Sequence, residues 1–233
     1  MSKTVRFLFI FIFFTIFSFQ RAQAQNPNQM GAWYMYFFDT NFGESQFGIQ
    51  GDMQYRNWNI MGDLEQLLLR SGFTFSPKNA NIKLTLGYAH ITSGALGESN
   101  DTSFENRIYQ EALLPQKVGG RIYLTHRFRY EQRFVEDQDF RTRYRYNLFM
   151  NIPFNKKTFK KNTFYAALYN ELFINGEQNI GGGQSVEFFD RNRTYLGVGY
   201  VLNPKIKFQL GWMNQKTNSQ GKGQLQVSMH HNF

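Results

Sequence analysis

Arginine recurs at alternate positions in two neighbouring stretches of the sequence, LTHRFRYEQRF at residues 124–134 and RTRYRY at residues 141–146. Aromatic residues or a threonine stand between most of these arginines. The guanidinium group is permanently charged and forms paired hydrogen bonds with carboxylate or phosphate oxygens. The chemistry that this pattern offers is therefore ion pairing with acidic side chains or the binding of anions.

A β-strand is the element that brings these arginines onto one face, because its side chains alternate with a period of two, whereas a helix would scatter them. In residues 121–134 the odd positions carry most of the charge, and the even positions include Leu124, Phe128 and Phe134. An arginine that faces lipid costs about 2–4 kcal/mol near the bilayer midplane, so several on one strand cannot face lipid. If the strand belongs to a transmembrane barrel, as the strand pattern of the whole chain predicts, its odd face therefore points into the lumen.

The two arginine stretches are predicted to pair as a hairpin with a tight turn over residues 135–139. This register sets Arg133 opposite Arg141 and Glu131 opposite Arg143, and the remaining pairs follow in step. Opposed charges stabilise such cross-strand pairs, whereas like charges destabilise them. The hairpin is therefore predicted to contribute the centre of an ionic ladder.

The preceding strand is predicted to extend this ladder. One register of its hairpin sets Glu105 opposite Arg129, and Glu111 is a further candidate inward acid. The predicted lumen ladder comprises Glu105, Arg107, Arg127, Arg129, Glu131, Arg133, Arg141, Arg143, Arg145, Glu171, Arg191 and Arg193.

Three interpretations of the ladder are open from the sequence. The charges could pair and fill a narrow lumen, because side chains readily fill a small barrel. Alternatively, the excess of arginine over acid leaves a positive lumen that favours small anions. The third interpretation is a specific phosphate or carboxylate site at Arg133 and Arg141, where like charges face each other near the outer rim.

The four histidines offer little support for catalysis. His90 with Ser93 nearby is the one combination that suggests a rim-active enzyme that modifies envelope lipid, and no orienting acid can be assigned to it. No histidine–carboxylate spacing predicts zinc, and the chain has no cysteine. No helix is predicted after the glycine-rich residues 179–183, as a phosphate-binding loop would require. We predict no catalytic residue, no metal and no cofactor.

Period-two alternation recurs along the chain in segments close to the roughly 9–11 residues of a tilted transmembrane strand. No helical periodicity competes with it. Because single-chain bacterial barrels have even strand numbers, we predict an all-β, antiparallel up-and-down transmembrane barrel of 10 or 12 strands. The sequence contains eleven alternating segments, which is one short of or one beyond an even number. They are 31–40, 45–57, 64–75, 82–93, 104–114, 121–134, 141–152, 163–175, 189–201, 206–216 and 223–233.

Four prolines identify one end of this barrel, since proline lacks the ladder donor and belongs in turns. They are predicted to fall in alternate connections, which share an end, at Pro77, Pro115, Pro153 and Pro204. The longest opposite connections, 94–103 and 176–188, are predicted to be extracellular. A binding role for these two loops is a further open hypothesis.

The chain termini predict export. Residues 1–24 combine a basic start, an apolar run and a small-residue site ending at Ala24, which is typical of a cleaved signal peptide. Loss of this leader, with three basic residues and no acid, reduces the formal charge from +9 to +6 and leaves residues 25–233 as the barrel. The last strand alternates and ends on Phe233, as in the membrane-insertion signal of outer-membrane barrels. The whole chain contains 26 Phe and 13 Tyr, and so many aromatic residues suit a lipid-facing surface with aromatic girdles.

Several motifs occur in a specific order along the chain: Trp33, FGIQGDMQYR, Glu105-x-Arg107, the two arginine runs, Glu171 and Asn192-Arg193. This order resembles a family of outer-membrane β-barrels known as the domain of unknown function DUF2490, common in Bacteroidota. The resemblance covers essentially the whole mature chain. It implies the barrel fold and the outer membrane of a Gram-negative bacterium, and it implies no catalytic residue. Outer-membrane lipid, the insertion machinery and small anions are the predicted partners; export argues against nucleic acid.

Overall fold

A computed structural model describes residues 30–97 and 99–233 of the chain, so the predicted leader lies outside the described residues. These residues form eleven strands and no helix long and apolar enough to cross a membrane. The strands are β1 (Gly31–Asn41), β2 (Phe47–Asn57), β3 (Leu64–Phe75), β4 (Lys83–Gly94), β5 (Thr102–Val118), β6 (Ile122–Val135), β7 (Arg141–Pro153), β8 (Thr163–Asn175), β9 (Phe189–Asn203), β10 (Ile206–Lys216) and β11 (Gly221–Asn232).

The strands form one closed up-and-down barrel in which each strand pairs with its neighbours in sequence. All of these pairs are antiparallel except the closing pair of β1 with β11, which is parallel and aligns Gly31 with Gln224. The all-β barrel is confirmed, and the predicted strand number of 10 or 12 is wrong. An odd number is possible because the first and last strands of an odd meander run in the same direction and can pair in parallel.

The alternation that defines the strands separates an apolar exterior from a polar interior. On β9, Leu196 and Val198 are exposed on the outside, whereas Arg193 and Tyr195 are buried inside. The same division holds on β6, where Phe128 and Phe134 are exposed while Arg129 and Glu131 are buried. Period-two alternation therefore places the arginine-bearing faces of β6 and β9 inside the lumen, as the sequence indicated.

The two ends of the barrel carry different connections. The C-terminal rim, where Phe233 lies, has connections at 42–46, 76–82, 119–121, 154–162 and 204–205. The N-terminal rim, where β1 begins, carries the longest connection, 176–188, which binds the β6–β7 turn through a hydrogen bond from Asp139 N to Ile180 O of 2.8 Å.

The prolines lie toward the C-terminal rim, although not all of them lie in connections. Pro77 and Pro204 do, whereas Pro115 lies within β5 opposite Thr125 and Pro153 is the last residue of β7. The prediction of four turn prolines is wrong for these two because β5 and β7 extend further than the alternation indicated.

The parallel closure can be tested by cysteine pairing, because the chain contains no cysteine of its own. Tyr34 and Val227 are register partners on the outer face of β1 and β11. Neighbouring strands are about 4.8 Å apart, within the Cα separation that a disulfide bridges. We expect Tyr34→Cys/Val227→Cys to form an intramolecular disulfide on oxidation, read as a reductant-sensitive mobility shift. The pair Tyr34→Cys/Trp212→Cys, separated by β11, is the control; equal cross-linking of both pairs would contradict the closure.

Candidate functional site

The lumen holds an unusual excess of buried positive charge. Among the described residues, the buried side chains include nine arginines and Lys222, but only five carboxylates. A buried charge is costly unless it is paired and hydrogen-bonded. The buried arginines are Arg56, Arg70, Arg107, Arg129, Arg133, Arg141, Arg143, Arg145 and Arg193, and the carboxylates are Asp52, Glu105, Glu111, Glu131 and Glu171.

Glu131 of β6 is the centre of the ion-pair network and is only 1% exposed. Its carboxylate is 2.7 Å from Arg143 Nη2 and 2.5 Å from Arg145 Nη1, both on β7. Arg107 and Arg129 approach the same carboxylate at 3.8 Å. One acid therefore holds four guanidinium groups from three strands.

Ion pairs continue from Glu131 into a closed ring of three acids and three arginines. Arg145 also binds Glu171 at 2.5 Å, and Arg127 binds the same carboxylate at 2.6 Å. Glu111 binds Arg129 at 2.5 Å and lies 3.8 Å from Arg127. Arg129 returns to Glu131, so the ring joins β5, β6, β7 and β8. Every carboxylate in it contacts at least two arginines, which is the arrangement that offsets burial.

The hairpin registers agree with prediction on one side of β6 only. Arg133 does pair with Arg141, and Glu131 with Arg143. The predicted pairing of Glu105 with Arg129 is wrong: Glu111 is the partner of Arg129. The reason is that β5 runs to Val118 and turns in three residues, which displaces the register of the whole hairpin.

Glu105 instead binds arginines in the part of the lumen near the N-terminal rim. Its carboxylate accepts two hydrogen bonds from Arg107, at 2.6 and 2.7 Å, and two from Arg133, at 2.5 and 3.0 Å. Arg141, opposite Arg133, has no ion pair among the described residues, and its Nε has no hydrogen-bond partner there.

An irregularity in β9 adds an acid that sequence reasoning missed. The register shifts so that Arg191 faces Phe173 while Phe189 faces Ile174, leaving Asp190 as the extra residue. Asp190 thereby reaches Arg143 at 2.8 Å and Arg191 at 2.9 Å. Strict alternation would have assigned consecutive residues to opposite faces, so no pattern in the sequence marks Asp190.

A second polar group, also outside the predicted ladder, lies on β2 and β3. Asp52 binds Arg70 through two oxygens, each at 2.9 Å from a guanidinium nitrogen, and accepts a hydrogen bond from Gln54. Gln54 in turn accepts from Arg56. The alternation of β2 indicates Asp52, Gln54 and Arg56, whereas three leucines before Arg70 obscure the parity of β3.

Trp33 connects this group to the far side of the lumen. Its ring is 4% exposed, with the guanidinium carbon of Arg56 at 3.7 Å from the ring centroid and that of Arg193 at 4.8 Å. Arg193 also lies 4.7 Å from the Phe173 ring centroid. These cation–π contacts replace carboxylates, since neither arginine has an ion pair among the described residues.

Beneath these charges, toward the C-terminal rim, the lumen contains a cavity of about 400 Å³. Its ceiling includes Arg56, Arg129, Arg145 and Arg193, and its walls are rich in aromatic rings. Three wall tyrosines lie against glycines: Tyr165 against Gly199, Tyr195 against Gly197, and Tyr109 against Gly87. Because glycine leaves room for each ring beside the wall, the rings do not fill the lumen.

We expect Gly199→Ala to lower the free energy of unfolding by about 1–3 kcal/mol, the usual cost of overpacking. The added Cβ would overlap the Tyr165 ring, which must then move into the cavity. Urea unfolding in lipid vesicles measures the change. Gly120→Ala, where a Cβ meets nothing within 4 Å, is the control; equal stability of both variants would contradict the packing role of Gly199.

The structure does not bring His90 and Ser93 together. His90 lies on the outside, where its Nδ1 is 2.9 Å from Asn106 Oδ1. Ser93 faces inward and accepts a hydrogen bond from Gln66. His90 and Ser93 therefore lie on opposite faces of β4. No group of three or more acids and histidines in residues 30–97 and 99–233 is positioned for a metal.

Comparison with known proteins places the chain in a family. The sequence profile described as "Protein of unknown function (DUF2490)" matches residues 30–226, from the residue before β1 into β11. The chain belongs to the DUF2490 family. An uncharacterized protein of Methylorubrum extorquens is 27% identical to this DUF2490 chain over 186 residues, which cover 76% of the chain and 77% of the relative. The predicted family is thus confirmed, and the barrel described above spans the DUF2490 match.

Proposed function

We propose that this DUF2490 protein is an integral outer-membrane barrel whose lumen is closed by its ion-pair network. The observation that carries the proposal is the burial of the network. In a water-filled pore the wall side chains would be exposed, whereas Glu131 and its four arginines are 8% exposed or less. The network therefore acts as a plug within the barrel.

The membrane location is supported by the exterior of the barrel. Large apolar side chains cover the outer face of successive strands, including Leu86, Phe128, Leu196 and Leu210, each more than half exposed. A soluble protein rarely exposes so continuous an apolar surface, whereas lipid would cover it. The predicted leader and the terminal Phe233 support the same location.

A narrow anion-leaning pore is the second candidate function, and the charge count favours it. Ten buried cations face five buried carboxylates, and such a lumen would select anions if it admitted ions at all. The proposal includes no enzymatic activity, because His90 and Ser93, the pair that would favour one, lie on opposite faces of β4.

Single-channel recording of the refolded mature protein distinguishes these functions. We expect no steady current from the folded barrel, because the ion pairs would have to separate to let ions pass. Folding is checked independently by the mobility difference between heated and unheated samples on electrophoresis. Steady anion-selective current that Arg129→Gln and Arg145→Gln reduce would contradict the plug and support the pore.

A further inference from the structure

The cavity beneath the network has properties that a structural plug does not require. Seven cationic side chains line it, against four carboxylates. Each of those carboxylates already has a cationic partner in an ion pair: Asp39 with Lys83, Asp52 with Arg70, Glu111 with Arg129, and Glu171 with Arg145. Among the described residues, the remaining positive charge therefore has no acid of its own in an ion pair.

Three cations at the cavity have no ion pair among the described residues, namely Arg56, Arg193 and Lys207. Of the two arginines, Arg193 is the less satisfied, because Arg56 donates to both Gln54 and Gln66. Its only hydrogen bond within the described residues runs from Nε to Gln215 Oε1 at 2.8 Å. Both terminal nitrogens of Arg193 have no hydrogen-bond partner among the described residues. Together they can bind a carboxylate, sulfonate or phosphate through two hydrogen bonds.

The walls of the cavity define the rest of the ligand. Tyr169 and Tyr195 stack with ring centroids 4.9 Å apart and an interplanar angle of 13°. Tyr165, Phe149 and Trp33 add further aromatic surface. Flat rings pack well on such surfaces, and a volume of about 400 Å³ lies within the range of small-molecule sites.

We propose that this cavity binds an aromatic organic anion, with its acidic group at Arg193 and its ring system against the tyrosine walls. Strand-end residues Asp39, Asn151 and Asn232 line the cavity, so the ligand enters from the C-terminal rim. Lys207 lies at this mouth, with its Nζ 5.5 Å from the ring centroid of Phe159. Binding at this site goes beyond the proposed plug and does not depend on whether the barrel conducts.

The test uses the refolded protein in detergent-free lipid nanodiscs, since detergent would compete for the apolar walls. Naphthalene-2-sulfonate is the probe, and binding is measured by calorimetry. We expect one site per barrel, with much weaker binding of neutral 2-naphthol and of inorganic phosphate. Tighter binding of decyl sulfate than of the naphthalene compound would overturn the aromatic specificity.

Arg193→Gln is expected to weaken naphthalene-2-sulfonate binding about tenfold or more, as loss of a charged hydrogen-bonding partner does. Arg121→Gln is the matched control, because it makes the same charge change at an exposed position on the C-terminal rim outside the cavity. Equal affinity of wild type and a folded Arg193→Gln variant, or no binding by wild type, would overturn the proposal.

A second readout keeps the test decisive if Arg193→Gln does not fold. In the variant Trp58→Phe/Trp212→Phe, the cavity residue Trp33 is the only tryptophan left. Saturation with naphthalene-2-sulfonate should change its emission. Calorimetric binding that leaves this emission unchanged would place the ligand elsewhere and overturn the proposal.

Discussion

Glu131→Gln should lower the free energy of unfolding by about 3–5 kcal/mol, the cost of removing one partner from a buried ion pair. The substitution keeps the size of the side chain and one acceptor oxygen. It removes the one carboxylate among the described residues that Arg143, Arg145, Arg107 and Arg129 all contact. Four buried guanidinium groups would then lose their common counter-charge, in an environment where water cannot replace it.

Urea unfolding in lipid vesicles measures this effect, with Glu44→Gln as the matched control. Glu44 is exposed in the β1–β2 connection, so its replacement should change stability by no more than about 0.5 kcal/mol. Adding Arg143→Gln to Glu131→Gln removes one unpaired charge. The double variant should therefore lose at least about 1 kcal/mol less than the sum of the single losses. Additive losses, or a Glu131→Gln barrel as stable as wild type, would contradict a network centred on Glu131.

Leu196→Arg should lower the free energy of unfolding in lipid by about 2–4 kcal/mol if the outer face contacts the bilayer core. Leu196 lies midway along β9 and is 61% exposed, with Leu168 and Trp212 beside it on the neighbouring strands. In water, the same change at an exposed position is worth no more than about 0.5 kcal/mol. The substitution therefore distinguishes a membrane barrel from a soluble one.

Phe188→Arg provides the comparison, because Phe188 is 57% exposed but lies in the 176–188 connection beyond the strands. We expect urea unfolding in vesicles to separate the two variants. If both cost the same small amount, the outer face of β9 does not lie in the hydrocarbon layer, and the membrane proposal is wrong.

Alternation predicted the barrel and the inward face of most strands because the lumen and the exterior demand opposite polarity at successive residues. It predicted the β6–β7 register as well, since a short polar turn fixes the pairing of Arg133 with Arg141. It did not predict the β5–β6 register, because Glu105 or Glu111 could each face arginine and only the length of β5 decides between them. The strand number failed for a different reason: the eleven alternating segments correspond to the eleven strands, but the rule that bacterial barrels have even strand numbers overrode that count.

The candidate site was predicted in part. Most ladder residues are buried inside the barrel, and the alternation of β2 indicates Asp52 as well. The pairing of Asp52 with Arg70 and the position of Asp190 depend on contacts that sequence spacing cannot specify. Trp33 was unassigned because β1 is aromatic on both faces. The cavity itself has no sequence signature, since it arises where Tyr165 meets Gly199 across two strands.

The parallel pairing of β1 with β11 also determines where fusion partners would lie. Gly31 and Phe233 are at opposite rims of the barrel, so an epitope placed before Gly31 and one placed after Phe233 are separated by the full height of the wall. If the barrel spans the outer membrane as proposed, with its C-terminus in the periplasm, antibodies added to intact cells would reach the first epitope and not the second. In that membrane, a meander of even strand number would present both epitopes to the same compartment, whereas this odd-numbered barrel would carry one fusion partner on each side.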